Sequence, residues 1–477
     1  MEKKVIILVN SPYLDIYGVM NIGDNFSFPL GIGYIASILR QNGYLVKIFE
    51  PEIEKLNEEQ IKEYFIQEKP DVVGISCATP NFKGAVKIAQ IVKNNTFATI
   101  VLGGIHASSA SEQILKNYDL FNFIVYGEGE YTMLELCNAL KDKKQPYSNI
   151  KGLYYKENGN IISTPPRPYI EKLDTLPFPA RELVDLKNYR PNVHLDLGVP
   201  GAHIITSRGC PARCTFCASF KTLGYNFRMH SAEYVVSEIE EVVNKYDINY
   251  IIFVDDTFTI NKNRAKTICQ MILDKKIKIK WYCFSRVDTI NEELAKLMKQ
   301  AGCFSMLFGI ESGNTDILRR VKKGISKEKA VQTIHMTNKM GYKTLASFIL
   351  GLPGETRETI KETVDFAIKL SPTIASFNRL IPYPGTEIYE EFYKDKLKDI
   401  KSWDNFVPQG DVPVIEIEGI SKEELNRLTI NAYLRFYLRI SQILRMLASI
   451  KSFNELLVYL RGGFGIFRQM LNWTKKI

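Results

Sequence analysis

The sequence predicts an α/β protein with two series of alternating strands and helices and a helical C-terminal region. Short apolar runs alternate with amphipathic segments of helical length over the first 140 residues, and again from about residue 203 to residue 379. A stretch rich in Lys, Asn and Pro separates the two series, and residues from about 421 onward have helical periodicity. Strands that alternate with helices are typical of parallel sheets covered by helices.

Composition is that of an ordinary globular protein of two or three domains. The chain has 477 residues, of which 45% are hydrophobic and 24% charged. Eight cysteines, three of them in one short motif, favour a reducing compartment. The apolar run Val5–Val9 is too short for a signal peptide, and no run reaches membrane-spanning length, so we expect a cytoplasmic protein. We attribute most of the net charge of +9 to a lysine-rich surface.

The first series, residues 1–145, predicts a doubly wound parallel sheet. Its expected strands are Val5–Val9, Leu45–Phe49, Val72–Ser76, Thr99–Leu102 and Phe123–Val125. Gly31–Gln41 has the spacing of an amphipathic helix, which Gly43 ends. Ligands of such sheets bind at the carboxyl ends of the strands.

Three of those strand ends carry small or polar residues that suit a ligand site. They are Ser76–Thr79, Gly103–Ala107 and Gly127–Glu130. Glycine allows a ligand to approach the backbone closely, although glycine after a strand is also a common turn residue.

Residues 146–195 read as a connector with a small hairpin at Gly152–Ser163, and residues 196–390 form the second series. Its six expected strands are His203–Ser207, Tyr250–Val254, Lys280–Phe284, Ser305–Ile310, Thr344–Leu350 and Ile374–Phe377. Helix-length segments separate them. The second series therefore predicts six strand–helix units.

Three cysteines follow the first strand of this series with the spacing Cys-x3-Cys-x2-Cys, at Cys210, Cys214 and Cys217. Three thiolates on one short loop suit a cubane [4Fe-4S] cluster with one iron left unligated by protein. The alternatives are a zinc site or simply buried thiols, and zinc would need a fourth ligand at similar spacing. His230 lies well beyond the loop, and the other five cysteines form no second tight pair.

The cysteine motif, with Phe216 just before its last cysteine, resembles that of the radical S-adenosylmethionine (SAM) superfamily. The resemblance implies that SAM chelates the open iron of the cluster, and that an electron from a donor such as flavodoxin or ferredoxin cleaves SAM to a 5′-deoxyadenosyl radical. It also implies that the six strand–helix units form a partial (β/α)6 barrel, with the cysteine loop after the first strand.

Four strand ends match the superfamily in order behind the cysteine motif. They are Asp255–Phe258, Ser285–Asp288, Gly309–Gly313 and Gly351–Thr356. Polar residues at the carboxyl ends of barrel strands are where such folds place their chemistry. The alternative for each is an ordinary turn or a surface ion pair.

The resemblance implies a role for each of these positions. Phe216 would pack near the adenine of SAM or simply shield the cluster, and Glu311 with Ser312 would meet the ribose and the amino group. The guanidinium of Arg286 would pair with the SAM carboxylate. The Gly351–Gly354 stretch would offer backbone hydrogen bonds to adenine.

Two adjacent acids are also candidates for this site. Asp255 and Asp256 would receive amine or hydroxyl groups of SAM or substrate, with no sequence reason to choose between them.

The first series resembles the cobalamin-binding domain found ahead of many radical SAM cores. The matching residues are Phe28–Gly31, Gly74–Ser76, Gly103–His106 and Tyr126–Gly129. The resemblance implies that the Ser76–Thr79 loop and the Gly103-Gly104 turn line the cobalamin nucleotide tail. The cofactor-binding residues that it implies are Ser76, Thr79, Gly103, Gly104, His106, Gly127 and Glu128.

One motif of other cobalamin folds, Asp-x-His-x-x-Gly, is absent. The nearest segment, Asp15–Gly18, has Tyr17 where the cobalt-binding histidine would stand. This is compatible with cobalamin bound without a protein imidazole, and with a domain that has lost the cofactor. His106 is a candidate axial ligand or, alternatively, a structural histidine.

The C-terminal region, 391–477, predicts a helix capped by Ser421, and its second half is basic. From 431 onward, basic and apolar residues interleave around a single acid, Glu455. Such a segment can lie on an anionic membrane surface or form a helical cap over the barrel mouth. The string Arg435–Arg439 resembles the tail of the anaerobic Mg-protoporphyrin monomethyl ester cyclase and hopanoid methylase group, which implies an apolar substrate. No pattern supports nucleic acid binding.

Three functions remain open at this point. The first is a cobalamin-dependent radical SAM enzyme that methylates an unactivated carbon of a small molecule. The second is a cobalamin-free radical enzyme that performs cyclisation, carbon–carbon coupling or oxidation on a lipid or tetrapyrrole. The third is an iron–sulfur sensor without catalysis, which the SAM-site strand ends argue against.

Overall fold

The computed structural model describes residues 4–13, 26–142, 146–190, 195, 197–397, 403, 405–407 and 413–450. The segment Asp15–Gly18 and the basic tail at 451–477 lie outside these residues. The predicted α/β class, with a doubly wound sheet, a partial barrel and a helical C-terminal region, is confirmed.

The first sheet has seven strands in the order β2-β1-β3-β4-β5-β6-β7. These strands are β1 Val5–Asn10, β2 Leu45–Phe49, β3 Val72–Ser76, β4 Thr99–Gly103, β5 Phe123–Val125, β6 Leu153–Glu157 and β7 Asn160–Ser163. The first five are parallel, and β5–β6–β7 are antiparallel. The hairpin in the connector is thus the antiparallel edge of the first sheet, and the linking segment starts after Ser163.

Five helices cover this sheet on both faces. They are α1 Leu30–Gln41, α2 Glu58–Glu68, α3 Phe82–Asn95, α4 Ile105–Asn117 and α5 Glu130–Asp142. Buried residues of α2, α3 and α4 pack on one face and those of α1 and α5 on the other. Gly43, at φ +84°, ends α1 as predicted.

A second sheet of six parallel strands follows chain order, β8-β11-β12-β13-β14-β15. Its strands are β8 Ala202–Ile204, β11 Tyr250–Phe253, β12 Lys280–Ser285, β13 Cys303–Glu311, β14 Lys343–Leu350 and β15 Ile374–Arg379. Between β8 and β11, the short strands β9 Ser207–Arg208 and β10 Arg228–Met229 pair as an antiparallel ribbon. This ribbon encloses the cysteine loop.

Helices cover the outside of the partial barrel. They are α7 Ala232–Tyr246, α8 Lys262–Asp274, α9 Glu292–Gln300, α10 Thr315–Arg320, α11 Lys327–Lys339 and α12 Arg357–Leu370. The short helix α6, Phe220–Leu223, lies instead between β9 and β10, next to α4. Side chains cap several of them; the hydroxyl of Ser231, for example, accepts a hydrogen bond from the Tyr234 amide at the start of α7.

The C-terminal region closes the free edge of the barrel. It contains α13 Lys394–Leu397, α14 Lys422–Tyr437 and α15 Ile440–Ser449. The amide groups of Phe377 and Ala375 in the edge strand β15 each donate to a tyrosine hydroxyl of α14, Tyr433 and Tyr437 (both 3.1 Å). The helix thereby satisfies backbone groups that an edge strand otherwise leaves open.

The position of α15 bears on the predicted helical cap. Gln442 of α15 donates to the carbonyl of Thr373, which precedes β15 (2.8 Å). The helix therefore lies at the amino end of this strand, away from the barrel mouth at the carboxyl ends. Within the described residues, no helix has the length and apolar content needed to cross a membrane.

Candidate cluster and cofactor site

The cysteine loop, Cys210–Cys217, follows β9 at the carboxyl end of the barrel. Its three cysteines are free and partly exposed, whereas the other five cysteines of the chain are buried. Phe216, between the last two of them, is half-buried and packs against the barrel core. The three cysteines of the loop are therefore more accessible than the other five.

Backbone hydrogen bonds hold this loop on three sides. The Cys210 amide donates to the carbonyl of Gly224 (3.3 Å), and the Thr215 amide donates to the carbonyl of Val321 (3.1 Å). The Thr215 carbonyl accepts from the amide of Ile388 (3.1 Å). The loop is thus fixed to the end of α10 and to the segment after β15.

The electrostatic setting of the thiols fits an iron–sulfur cluster. Burial raises the pKa of all three thiols, to about 12 for Cys217. At Cys210 and Cys214 the charges of Arg286 and Lys323 oppose this rise. A partly buried thiolate needs positive charge beside it, which iron supplies together with these two side chains.

The guanidinium of Arg286 is held in a fixed orientation near the cysteines. Its Nε and a terminal nitrogen donate to the two carboxylate oxygens of Asp288 (3.0 and 2.8 Å), and it also donates to the Lys323 carbonyl (3.1 Å). The sequence alone indicates no role for Asp288. A bidentate pair of this kind presets the guanidinium for a second carboxylate.

Glu311 forms a buried ion pair with Lys323 (2.7 Å). Lys323 was not among the site residues predicted from the sequence. Glu311 ends β13 at a register shift and has φ +72°, which is unusual for a residue other than glycine. A Cβ at Gly309 would lie 2.4 Å from the Glu311 carboxylate and 2.8 Å from the Lys323 ammonium. The glycine therefore leaves the space that the ion pair fills, and backbone strain of this kind is concentrated at functional sites.

The structure distinguishes the two adjacent acids after β11. The Asp255 carboxylate is buried and accepts from the Thr206 amide and hydroxyl and from the Ser207 hydroxyl (2.5–2.6 Å). The Asp256 carboxylate is accessible and accepts from Ser219 (2.7 Å). Desolvation by the surrounding protein raises the pKa of Asp256, against the opposing effect of the Ser219 hydrogen bond. Asp255 thus ties the barrel strands together, and Asp256 is the one free to meet a ligand.

Ser312 lies where its hydroxyl serves the protein itself. The residue is fully buried, and its Oγ shares a hydrogen bond with Thr363 (3.1 Å) and accepts from the Asn314 amide (3.1 Å). In this structure it shapes the turn after β13.

The turn after β14 is organised by Glu355, a role that the sequence alone does not indicate. The amides of Gly351 and Leu352 both donate to its carboxylate (2.6 and 3.0 Å), so these two groups are engaged. Glu355 is buried, and burial raises its pKa to about 8, against the opposing effect of the two amides.

This pKa predicts a pH-dependent contribution to stability. The ordinary value of 4.5 applies to the unfolded chain, so between about pH 4.5 and 8 the folded state retains a proton that the unfolded state has lost. Stability should therefore fall as pH rises through this window, by at most about 1.4 kcal/mol per pH unit. Glu355→Gln removes the titrating group, so its melting temperature relative to wild type should increase from pH 5.5 to pH 8. Parallel pH profiles of the two proteins would contradict this.

The carboxyl edge of the first sheet leaves room for a ligand at two glycines. A Cβ at Gly127 would meet no atom within 4 Å, and one at Gly103 would meet only a carbonyl at 3.9 Å. Gly104, at φ +95°, instead packs tightly, since its Cβ would lie 2.4 Å from the Cys77 carbonyl. Ser76, at the end of β3, accepts the Ser11 amide through its carbonyl (3.1 Å). Open glycines on strand ends of this sheet fit the close approach of a large cofactor.

His106 is fully buried, and its side chain contacts other residues of the protein. Its Nδ1 shares a hydrogen bond with Thr79 (3.1 Å), and its ring packs against Phe82 and Trp403. Burial lowers its pKa to about 3, so the imidazole is neutral at physiological pH. Its Nε2 has no partner among the described residues. The arrangement joins the loops after β3 and β4.

Glu128 connects the two domains. Its carboxylate accepts from Arg208 (2.9 Å) and from Arg228 (2.8 Å), and Glu130 accepts from Arg208 (2.7 Å). All four side chains are buried, and we refer to them as the interdomain ion-pair network. It brings the glycine loop after β5 next to the cysteine loop.

The structure also places the residues considered for other metal sites. His230, the candidate fourth zinc ligand, stacks on Tyr234 and bonds Asp174 through Nδ1 (3.0 Å). Within the described part of the chain, no three Cys, His, Asp or Glu side chains have the spacing of a single-ion site. A cubane is a different case, because each cysteine binds a separate iron.

Three cysteines that looked dispersed in the sequence meet in the barrel core. Cys269 and Cys283 are close enough to Cys303 to influence its pKa, and the Cys303 thiol donates to the Ser305 carbonyl (3.4 Å). Burial is the main cause of the raised pKa of Cys303. All three are buried thiols, and their proximity had no signal in the sequence.

Comparisons with known families match both domains. The radical SAM superfamily matches residues 204–367, and the B12 binding domain matches residues 23–137. An uncharacterized methyltransferase of Pyrococcus horikoshii is 38% identical over 412 residues, which cover 86% of this chain and 88% of that protein. The anaerobic magnesium-protoporphyrin IX monomethyl ester cyclase of Rubrivivax gelatinosus is 30% identical over 86% of this chain and 74% of its own.

A solved structure is similar in fold. The methyltransferase TsrM of Kitasatospora setae, with cobalamin and a [4Fe-4S] cluster bound, has a TM-score of 0.67 at 19% identity, over 85% of this chain and 84% of that chain. The predicted family is therefore confirmed. The chain belongs to the radical SAM superfamily, in the group of enzymes whose radical domain follows a B12-binding domain and whose cofactors are a [4Fe-4S] cluster, SAM and cobalamin.

Proposed function

We propose that this enzyme is a cobalamin-dependent methyltransferase that acts on an unactivated carbon of a small apolar molecule. The observation that carries the proposal is a direct contact between the two regions that would bind the cofactors, the cysteine loop and the glycine loop after β5. Arg208, two residues before the first cysteine of the loop, pairs with Glu128 from the glycine loop of the B12-binding domain. Methyl transfer by a radical route needs both cofactors to reach one substrate.

The chain's own residues bind and orient the reactants. Cys210, Cys214 and Cys217 would hold the cluster, while Arg286 would take the SAM carboxylate, preset by Asp288. When bound, the cluster and SAM supply a radical that abstracts a hydrogen atom, and cobalamin supplies the methyl group.

Two further side chains complete the proposed SAM site. Glu311, held by Lys323, and Asp256, which is accessible, would accept hydrogen bonds from the ribose and the amino group. Ser312 and the Gly351 amide are engaged within the protein, so we propose for them a role in shaping the strand ends.

On the cobalamin side, we propose Ser76, Gly103 and Gly127 as the residues in contact with the cofactor. The open space at the two glycines supports this. We propose that Thr79 and Gly104 act one step behind them, by packing the loops after β3 and β4 together.

The inner face of the barrel supports an apolar substrate. Tyr282 belongs to the inner apolar cluster, and Phe284, two residues further along β12, points to the same side and is 37% exposed. On the neighbouring strands β15 and β14, Asn378 donates a hydrogen bond to Ser347 (3.0 Å). The inner face of the barrel would therefore suit an apolar body with one polar group.

An electron donor is part of the proposal. Support comes from the cations beside the cysteine loop: the guanidinium of Arg213 lies over Tyr225, and the ammonium of Lys221 over Phe220. This surface suits an acidic redox protein such as flavodoxin or ferredoxin. Peripheral membrane contact stays a prediction, since residues 451–477 lie outside the described part of the chain.

Cobalamin retention tests the proposal first. The protein would be purified without oxygen, reconstituted with iron, sulfide and hydroxocobalamin, and gel-filtered. We expect about one cobalamin per chain, together with SAM cleavage after reduction. SAM cleavage with no cobalamin retained would contradict the methyltransferase and favour a cobalamin-free radical enzyme. The 30% identity to the cyclase of Rubrivivax gelatinosus makes a tetrapyrrole the first substrate to try in that case.

A further inference from the structure

The interdomain ion-pair network has features that a merely stabilising contact does not need. Glu128, Glu130, Arg208 and Arg228 are 3–6% exposed and lie between two loops. Burying four charges in such a place is costly, and packed apolar residues would stabilise a fold equally well or better. The network therefore calls for an explanation other than stability.

Hydrogen bonds fix the Glu128 carboxylate from three directions. One oxygen accepts from Arg208 (2.9 Å) and Arg228 (2.8 Å), and the other accepts from Arg228 (2.9 Å) and from the Ile170 amide (2.7 Å). Arg208 reaches further to Glu130 (2.7 Å). With this many charged bonds converging, the carboxylate has little freedom to shift.

The two arginines are also fixed to each other. Arg208 and Arg228 are directly opposite in the β9–β10 ribbon. The ring of Tyr34 lies under the Arg208 guanidinium (5.1 Å) and that of Tyr169 under the Arg228 guanidinium (4.8 Å). These contacts fix the β9–β10 ribbon, which carries the cysteine loop, at Arg208 and Arg228.

Displacement at the network would be transmitted to both ligand edges. Only Gly209 separates Arg208 from Cys210. A Cβ at Gly209 would lie 2.3 Å from the Asn226 carbonyl, so the backbone is closely packed here and has little room to shift. On the other side, Glu128 directly follows Gly127, one of the open glycines of the B12-binding domain.

We infer that the interdomain ion-pair network is a positioning device, which sets the cysteine loop at a fixed place relative to the cobalamin-side loop after β5. The inference rests on the proposed function for its meaning, since the two loops would carry the two cofactors. Glu128, Glu130, Arg208 and Arg228 are positioning residues and touch neither reactant. This assigns Glu128 a role different from the cofactor contact that the sequence suggested.

Glu128→Gln tests the inference, with Glu238→Gln as the matched control. Glu238 forms an equally buried pair with Arg181 (2.6 Å), which joins the linking segment to α7. Hydrogen–deuterium exchange is measured on the full-length reduced protein without cofactors. We expect Glu128→Gln to speed exchange about tenfold or more in both loops, 126–130 and 207–228. Glu238→Gln should leave these loops unchanged while lowering the melting temperature similarly.

A second readout uses the loaded protein. Magnetic coupling between cob(II)alamin and the reduced cluster depends on their separation, so Glu128→Gln should broaden the distance distribution, and Glu238→Gln should not. Unchanged exchange in the cysteine loop of Glu128→Gln would overturn the inference. Should that variant not fold, Arg228→Lys is measured with the same criteria. Failure of wild type to retain cobalamin would count against the proposed function alone, because the exchange experiment needs no cofactor.

Discussion

Replacing Cys210, Cys214 and Cys217 together with alanine is expected to abolish the iron–sulfur cluster. Iron should fall from about four per chain to near zero after reconstitution, and the visible absorbance of the cluster should vanish with it. SAM cleavage should be lost as well, since the reducing electron enters through the cluster. Iron and sulfide analysis, absorbance and product chromatography check the three results.

The control removes the same number of thiols elsewhere. Cys77, Cys137 and Cys269 are buried in the two domain cores, and a triple alanine variant there should bind a full cluster. Persistence of cluster absorbance in the variant of Cys210, Cys214 and Cys217 would refute the assignment of the cysteine loop.

Much of the fold was predictable because its signals are local. The apolar runs that form β1, β3 and β12 are bounded by polar or turn residues, so their ends are readable within one or two positions. The antiparallel addition of β6 and β7 to the first sheet was not readable. Pairing of β5 with β6 joins Phe123 to Tyr155, and a hairpin sequence does not say which edge it will meet.

The candidate site was predictable in its chemistry and less so in its hydrogen bonding. The cysteine spacing and the polar strand ends located Arg286, Glu311 and Asp256, which the structure places around one loop. Which groups remain free for a ligand depends on partners distant in sequence. Ser312 is engaged by Thr363 from α12, and Glu128 by arginines 80 and 100 positions away.

Lys323 illustrates the limit best. It stands at the end of a short helix among other basic residues, with nothing in the sequence to distinguish it from Lys322. The structure separates them: Lys322 is exposed, whereas Lys323 is buried against Glu311. Burial and pairing, rather than residue type, distinguish the lysine of the proposed SAM site.

Lys323→Met is accordingly expected to have the largest effect of any single substitution at the SAM site. It leaves the buried carboxylate of Glu311 without its cation, which costs about 3–5 kcal/mol in comparable buried pairs. The double variant Lys323→Met/Glu311→Gln should recover most of that stability, because no unpaired charge remains. SAM affinity should stay low in both variants, since the Glu311 carboxylate is displaced in one and absent in the other.

Melting temperatures and SAM titrations are measured for wild type, Lys323→Met, Glu311→Gln and the double variant. Together they separate the effect on stability from the effect on SAM binding. Lys322→Met, which loses only the exposed pair with Glu387, is the matched control and should change stability by less than about 1 kcal/mol. If Lys323→Met were as stable as this control, the ion pair would not be the element that holds Glu311 in its strained conformation. If the double variant bound SAM normally, Glu311 would not be a SAM ligand, and the positive φ at the end of β13 would need another explanation.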